Sequence, residues 1–140
     1  MIQARSVAAE LQARDVLVRL ETIVTWVGEA TRAELAREYN RADIFCLPSV
    51  QEGFGIVFLE AMAAGKAIVA ARAAAIPEVV RNGVLVEPEC AEDLAHGIGR
   101  LYACPELRRT LARQQLLDVE QYDVIRVAKR FLEEIEKVGR

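Results

Sequence analysis

Short apolar runs along this chain alternate with stretches whose apolar positions recur every three or four residues. The runs Thr22–Val27, Ile44–Leu47, Ala67–Ala70 and Val84–Val86 have the length and β-branched content of buried strands. Helical periodicity predicts elements at Ser6–Arg14, Arg32–Arg41, Gly55–Ala64, Ala91–Ala103, Pro105–Asp118 and Val124–Val138. A short helical turn is expected at Pro77–Val80, followed by an Asn82-Gly83 turn. Thr31 and Glu34 form a capping-box pair ahead of the second helix, whose inner face carries Leu35 and Tyr39. Strands alternating with helices predict an α/β fold, a Rossmann-like parallel sheet with flanking helices. The expected organisation is one partial domain over residues 1–140: a helical lead-in at 1–21, an α/β core at 22–90 and C-terminal helices at 91–140.

Bulk properties narrow the function classes. A chain of 140 residues supports one core and is short for two ordinary domains. Its hydrophobic fraction of 53% and charged fraction of 28% are those of a soluble globular protein. A net charge of −3 offers no electrostatic basis for binding nucleic acid. No stretch approaches a transmembrane span, and polar, interrupted Met1–Leu20 is not a cleavable leader, so a cytoplasmic protein is expected. Cys46, Cys90 and Cys104 lack metal spacing and read as reduced thiols, Cys46 in a core strand. His96 has no partner in the pattern, and Trp26, Tyr102 and Tyr122 read as core or rim aromatics. Arg126, Lys129, Arg130, Glu133, Glu134 and Glu136 read as a solvated helix face.

Candidate chemistry concentrates in Pro48–Gly65. Pro48 ends a strand by removing a ladder donor, and a polar loop follows. Gly53 and Gly55 permit a tight backbone path close to a ligand. The helix that starts there ends on Gly65, suited to a left-handed cap. Its free N–H groups and positive dipole end form an anion site above the strand. Glu52 precedes the turn. Glu60 lies within an otherwise apolar helix, where an unpartnered carboxylate would be costly to bury, and helical geometry leans it towards the anion site. Gly65-Lys66 does not make a phosphate loop, because Glu60 and Ala67 stand where that loop needs a glycine and a hydroxyl residue.

Glu52-Gly53-Phe54-Gly55, with Glu60 eight positions after Glu52, resembles the donor-site signature of retaining GT-B glycosyltransferases of the group-1 type (glycosyltransferase family 4). The resemblance extends in order through Trp26-Val27-Gly28, Glu38-Tyr39, Ala42–Phe45, Ala67–Ala70, Ile76–Val80 and Gly83–Val86, covering roughly residues 22 to 100. It implies a partial C-terminal (donor) domain, with a nucleotide-diphosphate sugar as co-substrate and no cofactor; no Asp-x-Asp motif occurs, so no metal is expected.

The resemblance also distributes roles. Glu60 matches the glutamate that accepts hydrogen bonds from the ribose hydroxyls, and Glu52 the glutamate at the donor sugar, the catalytic candidate. Gly53, Phe54, Gly55, Ile56 and Val57 would bind sugar and diphosphate through backbone N–H groups, with the side chains of Phe54, Ile56 and Val57 expected to pack. Gly28 would lie beside the nucleobase, although a plain strand-to-loop glycine reads nearly as well. Ala73-Ala74-Ala75 stands where relatives carry a Gly-Gly turn, so either the loop is reshaped or donor contact there is altered. The acceptor domain, and the segment opening the donor domain with its Arg and Lys, are expected to be missing, along with two strands between those ending at Val27 and Leu47. Self-association through unpaired sheet edges would follow. The alternative is a catalytically silent nucleotide-sugar-binding module or truncated-gene remnant.

Overall fold

The computed structural model describes residues 24–138. Contacts divide the chain into two units, residues 1–34 and 35–140. In the first, residues 24–30 are irregular and exposed. The strand expected at Thr22–Val27 is therefore not formed over its described part. A strand without a partner leaves its backbone groups unpaired, so an apolar run alone does not make one. Thr22, Ile23 and the helix expected at Ser6–Arg14 lie outside the described residues. The capping box is present. The Thr31 N–H donates to Glu34 Oε2 at 2.8 Å, and the Glu34 N–H donates back to Thr31 Oγ1 at 3.3 Å. From it starts helix α1, Arg32–Arg41, which continues into the second unit.

That unit holds a three-stranded parallel sheet in the order β1 (Ile44–Leu47), β2 (Ala67–Ala71), β3 (Val84–Val86). All five β2 residues are buried. A strand covered on both faces needs a continuous apolar run rather than alternation, as Ala67-Ile68-Val69-Ala70-Ala71 provides. On one face Ile68 and Ala70 pack with Phe58, Ala61 and Met62 of helix α2 (Ile56–Ala63) and with Ile76 and Val79 of α3 (Ile76–Val79). On the other, Ala67, Val69 and Val86 pack with Leu101 of α4 (Ala91–Ala103) and Leu107 and Leu111 of α5 (Pro105–Asp118). Cys46, expected in the core, is exposed. It sits in β1, an outer strand of this sheet, which lacks the second neighbour that β2 has. A 3-10 turn (Val119–Tyr122) leads to helix α6 (Val124–Val138), N-capped by Asp123 through bonds to the N–H groups of Ile125 and Arg126. No residue of α6 is buried, and it leaves Val124, Phe131, Ile135 and Val138 exposed.

The chain's two non-glycine residues with positive φ among those described are Ala74 (φ 46°) and Glu89 (φ 57°). Both follow the carboxyl ends of strands, after β2 and β3. Ala74 therefore keeps the left-handed turn of a Gly-Gly loop and bears its strain. The left-handed conformation costs a non-glycine residue about 1–2 kcal/mol, whereas glycine forfeits about 0.5–1 kcal/mol of chain entropy. Ala74→Gly is accordingly expected to stabilise the chain by about 0.5–1 kcal/mol, read as a higher denaturant midpoint at unchanged slope. An unchanged or lower midpoint would show that the turn is not held in this conformation in solution.

Candidate functional site

Each strand of a parallel sheet hands the chain to a loop at the same end, and ligands of open α/β sheets bind outside those carboxyl ends. Here β1 leads through Pro48–Phe54 to Gly55 and α2. Gly55 has φ 74°, and a Cβ built on it would lie 2.6 Å from Phe58 Cδ2. Glycine is required at this position by both backbone sign and space. Gly53 is not constrained in this way: a Cβ there meets nothing within 4 Å, so no protein atom occupies the space beside it. Gly55 is the N-cap of α2, no side chain caps it, and the first closing bond runs from the Phe58 N–H to the Gly55 carbonyl at 2.9 Å. The N–H groups of Ile56 and Val57 thus remain available at the positive end of the helix dipole.

The far end of α2 closes as expected. Gly65 adopts φ 63°. Its N–H donates to the Met62 carbonyl (2.9 Å) and the Lys66 N–H to that of Ala61 (3.0 Å), the paired bonds of a Schellman cap. Lys66 Nζ then reaches the Asn40 carbonyl at 3.2 Å, tying this end of α2 to α1.

Only one face of α2 is buried, the Phe58, Ala61, Met62 stripe at i, i+3, i+4 spacing. Uniformly apolar composition hid that polarity, and three expectations change with it. Glu60 is exposed rather than enclosed among apolar neighbours. The Ile56 side chain does not pack, being 66% exposed, whereas Val57 keeps most of its surface covered at 37%. Phe54 is half exposed and touches one aromatic, Tyr122, with ring centroids 5.6 Å apart and edge to face. Glu52 is half-buried in the loop. Gly28 lies in the first unit, with φ 73° beside the Trp26 indole.

Glu60 has a partner that spacing alone did not reveal. Tyr39 Oη donates to Glu60 Oε2 at 3.0 Å and also lies 3.3 Å from the Val57 carbonyl. Burial first, and then the Glu60 carboxylate, push the Tyr39 hydroxyl up to about 12. It is therefore a neutral donor throughout the physiological range. Its contribution is complete below the ordinary tyrosine pKa and is lost only as pH rises through about 12. Beyond Glu60 opens a groove of about 530 Å³ that Leu59, Glu120, Tyr122, Asp123 and Arg126 also line. Arg126 pairs there with Glu120 at 3.1 Å, so this residue of the charged α6 face belongs to the groove wall. Twenty-one positions separate Tyr39 from Glu60. The only local signal was a tyrosine on the inner face of a helix preceding the motif.

Among the described residues, no helix is long and apolar enough to cross a membrane. The sequence model of the family described as "Glycosyl transferases group 1" matches residues 3–104. The chain is 36% identical over 110 residues to a Campylobacter jejuni N,N'-diacetylbacillosaminyl-diphospho-undecaprenol alpha-1,3-N-acetylgalactosaminyltransferase, covering 76% of this chain and 29% of that protein. Among solved structures it is similar to the C-terminal domain of the group 1 glycosyl transferase LpcC from Francisella tularensis (30% identity, TM-score 0.60, 72% of this chain and 53% of that one). It is also similar to HepE of Anabaena in complex with UDP and glucose (25% identity, TM-score 0.76, 98% of this chain and 38% of that one). The chain thus spans 29% of the length of the Campylobacter protein and 38% of the HepE chain. Sheet order, glycine turn and family match agree: the chain belongs to the group 1 glycosyl transferases and has the fold of part of their GT-B donor domain.

Proposed function

We propose that these residues form the nucleotide-sugar-binding part of a retaining glycosyltransferase that moves a hexosyl unit from a nucleotide-diphosphate sugar to an acceptor hydroxyl. The observation that carries this reading is the uncapped N-terminus of α2, which leaves Gly55 at the carboxyl end of a parallel sheet with Glu52 before it and Glu60 one turn inside. The Ile56 and Val57 N–H groups receive the diphosphate, whose leaving charge the helix dipole stabilises. Glu60 accepts from the ribose hydroxyls, and Glu52 orients the sugar and stabilises positive charge developing at its anomeric carbon. The acceptor attacks the same face that the diphosphate leaves. No metal is assigned a part in this scheme. Acceptor binding is assigned to a further domain of the kind the longer relatives have room for. A cytoplasmic setting and self-association through open strand edges belong to the same reading.

Titration with UDP and UDP-glucose tests the division between the two carboxylates. Glu60→Gln is expected to weaken both ligands by about 1–3 kcal/mol, the range for a lost charged hydrogen bond. Glu52→Ala should leave UDP affinity within about 0.5 kcal/mol, as expected for a substitution away from the bound groups, and weaken only UDP-glucose. Equal losses for the two ligands on Glu52→Ala would remove Glu52 from the sugar.

A further inference from the structure

We infer that Tyr39 is a positioning residue of the nucleotide site: its hydroxyl holds the Glu60 carboxylate in the rotamer that presents it to a ribose diol. This rests on the reading of Glu60 given above. An exposed glutamate on a helix samples several rotamers, and a ligand that needs one of them must bear the ordering cost. Here the ordering is done in advance. Tyr39 Oη occupies one acceptor position on Oε2, at 3.0 Å. Among the described residues Oε1 has no hydrogen-bond partner, which leaves it free to accept from a hydroxyl.

The tyrosine is itself held. Its ring lies 5.7 Å from that of Phe45, which stands edge-on to Phe58 at 5.9 Å. Phe58 is fully buried and lies directly under Gly55, at the 2.6 Å approach that excludes a Cβ there. A continuous aromatic column therefore links the hydroxyl that orients Glu60 to the turn that opens the helix N-terminus. Through it, one rigid core element sets both the ribose acceptor and the diphosphate amides. The second contact of Tyr39 Oη, with the Val57 carbonyl at 3.3 Å, anchors the same hydroxyl to the first turn of α2.

Tyr39→Phe keeps the ring and deletes the bond, so it separates orientation from packing. In the 140-residue chain, Tyr39→Phe is expected to weaken UDP about 3- to 10-fold, the range for ordering one long side chain. It should leave 2′,3′-dideoxy-UDP unchanged and add nothing on a Glu60→Ala background, where no acceptor remains for the Tyr39 hydroxyl to orient. A ligand-free measurement accompanies it: Glu60 side-chain J couplings by NMR should report one rotamer in the wild type and averaging in Tyr39→Phe. An averaged Glu60 in the wild type, or a fixed one in Tyr39→Phe, overturns the proposal whatever UDP does. Equal weakening of both nucleotides by Tyr39→Phe, additive losses in the double variant, or no loss also overturns it. If Glu60→Gln leaves UDP affinity unchanged, the ribose reading itself falls and the proposal with it. A loss on Glu60→Gln with none on Tyr39→Phe overturns the proposal alone.

Discussion

Gly55→Ala is expected to destabilise the chain by about 2–5 kcal/mol and to abolish nucleotide binding. The left-handed backbone at φ 74° costs an alanine about 1–2 kcal/mol. Forcing a methyl to within 2.6 Å of a fully buried ring adds overpacking of about 1–3 kcal/mol. Phe58 cannot swing aside, because its own edge is set against Phe45. The backbone must then move, and the backbone here carries the Ile56 and Val57 amides. Urea unfolding and UDP titration read the two consequences. A variant with wild-type midpoint and affinity would mean that the turn is not tight in solution.

Phe58→Ala should cost about 3–5 kcal/mol, as for other large-to-small changes at a fully enclosed phenylalanine. The ring closes the face of the sheet that holds Met62, Ile68, Ile76 and Val79, and little around it can collapse into the space. A midpoint shift worth less than about 1 kcal/mol would place the ring outside the core, since deletions there rarely cost so little. The two sites touch and so should not add. With Phe58 shortened, an alanine at position 55 meets no ring, and the overpacking part of its penalty should vanish while the backbone part remains.

Most elements of the second unit were legible in the sequence because local rules and tertiary demands agree there. Residues Ile44–Leu47, Arg32–Arg41 and Ala91–Val138 follow periodicity, capping and breaker residues almost to the residue. α2 starts and stops one residue inside its expected span, as Gly55 and Ala64 serve as caps. Legibility failed where the deciding partner was remote. Nothing in Val24–Val27 says whether a neighbouring strand exists to pair with it. The apolar composition of α2 conceals which face meets the sheet, so Glu60 and Ile56 read as buried. In the candidate site the chemistry-bearing positions were apparent as residue types at fixed spacing. The bond from Tyr39 was not, because it depends on how α1 lies on α2.

The bare α6 helix divides what a stability measurement on this chain reports. Fifteen residues, none of them buried, gain little from the folded core. A helix of that length is marginal on its own in water. Its opening is therefore a local event, separate in free energy from loss of the β2 sheet. Hydrogen exchange would place its amides near the low end of the protection scale while those of β2 report the global value. Substitutions along Phe131 and Ile135 would pass unnoticed in a melting curve. Their effect becomes visible only once some other surface covers that stripe.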